Sequence, residues 1–294
     1  AAPSTGGRLR RRNWTGRDGW SSQEVTVTEK GILFKAEMVR ALLNTKPGTW
    51  PAEPIDPSKP FKWQTRRIIK PGKSQDWLTP KVLGEVVQMV DRGDGWWAMS
   101  VDDRPPGPHG TCPGHIGSVR APYQVGDILW VRESMRWSRE GAYAGYELSM
   151  RYMADNQYVD MEQMLDGYCP PRNGRHTDNW GSGDDHLPEG AQWGFSTTYG
   201  TCPSLFMPRW ASRIRLEVMD VRAQRLQNIT EEDAKAEGCQ PWQYDPMQPM
   251  TTGEMGAASP YRGGYACLWD EINDERATWK SNPWIWAYSF KRLA

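Results

Sequence analysis

Short apolar runs separated by long polar, glycine- and proline-rich stretches make up this chain, and several of the runs carry a recognisable period. Ile214, Leu216 and Val218 alternate with polar neighbours, which predicts a half-exposed strand over residues 214–221. Ile128, Leu129, Trp130 and Val131 follow a turn at 122–127 and lead into Arg132 and Glu133, the pattern of a buried strand with a charged exit. Near the end, Trp284, Trp286, Tyr288 and Phe290 recur at every second position and predict a strand with one aromatic face. A short strand over 31–34 precedes a helix in which Met38, Ala41 and Leu42 share one side, and 266–272 reads as another helix. A third helix is marked at both ends, by Thr230 as N-cap, the acidic Glu231, Glu232 and Asp233 in the first turn, and Gly238 at the stop.

The stretches between these elements read as insertions. Prolines at 47, 51, 54, 57 and 60 exclude regular structure just before Lys62. The expected organisation is a disordered basic tail over 1–28, containing Arg8, Arg10, Arg11 and Arg12, and a single domain over 29–294. Insertions are placed at about 46–61, 72–121, 135–205 and 240–264. Few helices and several dispersed strands predict an α+β fold that is mainly β, built as a small, partly open β-barrel with long loop-rich insertions.

Composition narrows the function. The 36 basic residues balance the 36 acidic ones, which argues against avid, sequence-blind binding of long nucleic acid and leaves a local cluster or a small neutral ligand. Seventeen tryptophans are far more than usual; core packing accounts for most of them, and base stacking is the other use of such a flat face. The mean hydropathy of -0.75 fits a modest core with polar insertions. No apolar run approaches the roughly 18 residues that cross a bilayer, so a cytoplasmic protein with no membrane partner is expected. The five cysteines are scattered without a Cys-x-x-Cys pair, which favours reduced thiols. His109, Cys112 and His115 form only half of a zinc site, with Cys169 or His176 as possible fourth ligands, and no metal or cofactor is expected.

The candidate chemistry lies in Lys62-Trp63-Gln64-Thr65-Arg66-Arg67. An amine beside a hydroxyl is a minimal base-and-nucleophile pair. Arg66, Arg67 and Lys70 nearby are expected to depress the Lys62 ammonium pKa. Glu237, at the end of its helix where the macrodipole disfavours negative charge, is the expected proton carrier.

These residues resemble the ASCH domain of the PUA-like superfamily. The resemblance lies in Lys62-x-x-Thr65-x-Arg67, in the 125–131 segment, in Thr230-Glu231-Glu232-Asp233-Ala234-x-x-Glu237 and in the closing aromatic strand, covering about a third of the chain. Residues 31–43, 132–133, 207–214 and 282–290 are also similar to larger ASCH-like proteins of phages and prophages. The resemblance implies an amidohydrolase that removes an acyl group from a modified cytidine or nucleobase. Lys62 would deprotonate Thr65 for attack, Glu237 would carry a proton to the leaving amine, and Arg67 would steady the oxyanion or the base. A second reading is a non-catalytic module binding RNA or a modified base, with Trp63, Arg66, Arg67, Arg209, Trp210 and Arg213 supplying stacking and phosphate contacts. A third is a metal-independent ribonuclease in which Lys62 and Arg67 stabilise a phosphorane.

Overall fold

The computed structural model describes residues 8–14, 20–26, 29–70, 75, 77–93, 95–104, 113–140, 147–159, 201–242, 259–273 and 277–294. In chain order the elements are β1 (Arg8–Trp14), β2 (Trp20–Thr26), β3 (Glu29–Leu33), α1 (Ala36–Leu43), β4 (Gln64–Ile68), α2 (Pro80–Glu85) and β5 (Gln88–Asp91). They continue with β6 (Trp96–Ser100), β7 (His115–Arg120), β8 (Ile128–Arg132), β9 (Met135–Glu140), β10 (Glu147–Tyr152), β11 (Thr201–Cys202) and β12 (Arg215–Arg225). The chain closes with α3 (Glu231–Ala236), α4 (Pro260–Asn273) and β13 (Trp284–Arg292). The fold is α+β with strands dominant, and no helix among the described residues is long and apolar enough to cross a membrane.

The chain divides into two compact units: residues 1–30, 44–128 and 216–294 form the first, and residues 31–43 and 129–215 the second. The strands β12, β13 and β4 are hydrogen-bonded neighbours in that order. In the first unit, β13 runs antiparallel to both β12 and β4, with Tyr288 opposite Thr65 and Val221, and Ala287 opposite Arg66 and Arg222. Ile285 and Ala287 face a core that includes Ala234 of α3 and Tyr265, Ala266 and Trp269 of α4. On the opposite pleat, Trp286 meets Trp97 edge-on at 5.6 Å and Tyr288 meets Tyr123 at 5.2 Å. The strand expected to have one aromatic face is therefore buried on both, from Trp284 through Phe290. A strand between two neighbours and two packed layers has no solvent side, and each large side chain so buried contributes about 1.5–3 kcal/mol.

Several stretches expected as insertion carry structure of their own. Within 72–121, α2 begins at the N-cap Thr79, whose hydroxyl accepts from the Val82 amide, and β5, β6 and β7 form an antiparallel sheet. Within 135–205, β9 pairs with β10 and β11 in the second unit, whose core gathers Met135, Met150, Tyr152, Cys202 and Met207. Residues 8–14 and 20–26, expected as part of a disordered tail, pair as β1 and β2 with Trp14 in register with Trp20. A five-residue, glycine-containing connection between two such runs is a hairpin signal, which the charge of the segment obscures. The 240–264 stretch lies largely outside the described residues.

Candidate functional site

Local signals place α3 as expected. The Thr230 hydroxyl accepts from the Asp233 amide, and Gly238 closes the helix in the left-handed region at φ 77°, where a side chain would be strained. Glu237 is the C-cap, and its carboxylate lies one turn beyond Asp233 on the same side of the helix. The Trp63 amide donates to the Ala236 carbonyl at 3.0 Å, which brings the start of β4 against the end of this helix.

Lys62 and Glu237, 175 residues apart in sequence, meet there. Lys62 Nζ donates to Glu237 Oε2 at 2.6 Å and to the Glu237 carbonyl at 2.8 Å. Arg66 Nη1 donates to the other carboxylate oxygen, Oε1, at 2.9 Å, while its Nη2 donates to Asp233 Oδ2 at 2.7 Å. Lys62 is 0% exposed and Glu237 4%. Two cations facing two carboxylates offset much of the desolvation that burying each alone would cost. Arg222, in register with Arg66 across β13, borders the cluster at 3.5 Å from Asp233.

Burial is the main cause that lowers the Lys62 pKa, and the attraction of Glu237 opposes it. The neighbouring guanidinium of Arg67 is a lesser cause, so the expected depression is present but does not come chiefly from like charge. The Arg66 pKa moves the other way: burial works against its charge, and Glu237, Tyr265 and Asp233 together outweigh burial. Burial likewise raises Tyr265 well above its ordinary range and pushes the Cys239 thiol up to about 12. With Oε1 held by Arg66 and Oε2 by Lys62, the Glu237 carboxylate has a cation on each oxygen.

Thr65 is not part of this cluster. Side chains alternate across a strand, so Gln64 and Arg66 project to the helix-covered face of β4 while Thr65 and Arg67 project to the other. The register agrees: Thr65 lies opposite Tyr288 and Arg67 opposite Trp286, on the pleat where Tyr123 and Trp97 pack. Thr65 is 3% exposed and Arg67 is half-buried. Trp63 shares their parity; its ring meets that of Trp50 edge-on at 5.5 Å.

The remaining expected binding residues belong to the second unit. Arg213 is committed to an ion-paired cluster, donating through Nε and Nη2 to the two oxygens of Glu133 at 2.8 and 2.9 Å and through Nη1 to Asp155 at 2.8 Å. It also lies 3.8 Å from the Tyr152 ring centroid. Burial raises the Glu133 pKa, and the Arg213 bonds counter it. Arg209 lies over Trp130 at 5.9 Å, and Trp210 packs against the methionine-rich core. His109, Cys112, Cys169 and His176 fall outside the described residues, and His115 is exposed with Ser118 at 3.2 Å. Among the described residues no group of three His, Cys, Asp or Glu side chains converges as a metal site.

Sequence reasoning missed Asp233, Gln64 and Trp50. The four-residue spacing of Asp233 and Glu237 and the common parity of Lys62, Gln64 and Arg66 were available signals. Nothing local pointed to Trp50, which lies among the prolines. The chain matches no protein-family model, no curated protein and no solved structure.

Proposed function

We propose that this chain is a cytoplasmic, PUA-like module that binds a base of RNA or a modified nucleobase without reacting with it. The observation that carries the reading is the division of the Lys62–Arg67 motif between two pleats. The base and the proton carrier of the hydrolytic scheme close on each other in a buried ion-pair cluster, while the hydroxyl meant for attack lies on the other face. That other face of β4 carries a half-buried guanidinium, Arg67, and Trp63, just before the strand, forms an aromatic step with Trp50; a cation and an aromatic face are the groups that neutralise a phosphate and stack a base. The small barrel implied by the ASCH resemblance belongs to the same proposal. The second reading, an amidohydrolase acting on an acylated cytidine, rests on the depressed Lys62 amine in contact with Glu237.

One experiment separates them. Purified protein is incubated with 4-acetylcytidine and with labelled single-stranded RNA, and cytidine release, RNA integrity and RNA retention are measured. Retention of intact RNA without cytidine release is expected. Release that disappears in both Lys62→Ala and Glu237→Ala, in variants shown to be folded, would establish the hydrolase instead. Cleaved RNA would identify the metal-independent ribonuclease.

A further inference from the structure

The proline-rich stretch before Lys62 is a tightly tied loop with a tryptophan at its tip. Asn44 Nδ2 donates to the carbonyls of Asp56, Lys59 and Pro60 at 2.9–3.1 Å, and the Asp56 amide donates back to Asn44 Oδ1 at 2.8 Å. The Lys46 amide donates to the Glu53 carbonyl at 2.8 Å, and their side chains form an ion pair at 2.8 Å. Gly48 donates to the Arg292 carbonyl at 2.8 Å, and the Arg292 guanidinium returns a bond to the Thr45 carbonyl at 3.0 Å. Thr45, 1% exposed, donates from its hydroxyl to the Lys62 carbonyl at 3.0 Å, so the base of the loop is fastened directly to the start of the motif.

Against this framework Trp50 stands out, because it remains 41% exposed. The loop holds it edge-on to Trp63, the residue that leads into β4, and β4 carries Arg67 on the pleat turned away from α3. An indole kept open to solvent on a loop already ordered by its own hydrogen bonds loses little conformational entropy when a planar ligand stacks on it. Its face has no polar selectivity, which suits any unpaired heteroaromatic base.

We infer that Trp50 is a base-stacking residue: the Trp50–Trp63 step takes one unpaired nucleobase, and the proline-rich loop exists to present it. This rests on the base-binding reading above and adds to it a residue, a loop and the requirement for an unpaired base. A duplex keeps its base faces stacked on one another and cannot use the step.

The test uses the full chain, a fluorescently labelled single-stranded RNA octamer, the same octamer in duplex form, and free cytidine as a competitor. Trp50→Leu, which keeps bulk but not the aromatic face, is expected to weaken binding of the single strand by roughly 5- to 150-fold, the range of one lost stacking contact. Trp50→Phe should stay within about threefold of the wild type, because a smaller aromatic face still stacks. An octamer carrying 2-aminopurine should be quenched in the wild-type complex, a stacking readout that needs no variant to fold. Competition by cytidine identifies a free nucleoside as the source of the base, and its absence identifies the strand; either supports the step if Trp50→Leu loses that ligand. Unchanged affinity in Trp50→Leu, an unquenched 2-aminopurine, or equal binding of the duplex overturns the inference. A wild-type protein that retains neither the octamer nor cytidine overturns the base-binding reading itself.

Discussion

The two pleats of one short stretch are built to opposite ends. On one, Lys62, Gln64 and Arg66 lie buried beneath α3, with Lys62 and Arg66 gripping Glu237 and Asp233 through contacts of 2.6–2.9 Å. On the other, Thr65 and Arg67 border an aromatic layer, and Trp63 leads out to an exposed Trp50. Residues that are neighbours in the sequence are thus divided between a sealed ionic core and an accessible aromatic edge. A Lys-x-x-Thr spacing joins an amine and a hydroxyl only where the backbone is helical or turned; in extended chain an odd spacing sends them apart.

Breaking the sealed side should cost the most. Glu237→Ala leaves two buried cations without their shared carboxylate, and a loss of about 3–5 kcal/mol is expected in urea denaturation. A loss under about 1 kcal/mol would mean that the cluster is hydrated and open, returning weight to the catalytic scheme.

Arg66 and Arg67 give the sharpest contrast, because they are adjacent and chemically identical. Arg66→Ala removes the nearer cation of Asp233 and one of the two on Glu237, and is expected to cost about 3 kcal/mol. Arg67→Ala, at a half-buried position, should cost less than about 1 kcal/mol and instead reduce RNA retention. Its effect on affinity should shrink as salt rises, as for a lost phosphate contact. Equal stability losses for the two would erase the distinction between the pleats.

The sealed side also predicts a pH dependence. Cys239 lies two residues beyond Glu237, and burial raises its thiol from an ordinary 9.0 to about 12. The folded state therefore holds a proton that the unfolded chain has already released, so stability falls as pH rises from 9 toward 12. The wild type should lose roughly 1.4 kcal/mol per pH unit relative to Cys239→Ala across that window. Parallel pH profiles for the two proteins would show that the thiol titrates freely.

Thr65→Val should do least. It preserves shape on a buried β position, and a change of less than about 1 kcal/mol in stability is expected from the lost hydroxyl, with RNA retention unchanged and no cytidine released by the variant or the wild type. A variant that folds normally and abolishes a release present in the wild type would join Thr65 to Lys62 after all.

The elements that the sequence revealed share a local cause. The helix from Thr230 to Gly238 carries its cap and its stop, and the 214–221 alternation lies almost wholly within β12, with Leu216 and Val218 buried. The turn ending in Gly126, at φ 89°, leads into β8 as its residues require. Elements without such punctuation were missed. The strand β6 is Trp-Trp-Ala-Met-Ser, buried after its first residue, and a continuous apolar run has no period by which to distinguish it from loop filler.

By itself the sequence determined where the chain bends and caps, which runs are apolar, and that a lysine, a threonine and a glutamate were available. The tertiary structure alone decided that Lys62 closes on Glu237 across 175 residues and that Thr65 turns away from both. It also decided that the prolines before Lys62 form a tied loop presenting Trp50. The reason is physical: caps and turns are satisfied by bonds a few residues apart, whereas the partner of a buried charge and the face a side chain takes depend on which distant strand and helix lie beside it.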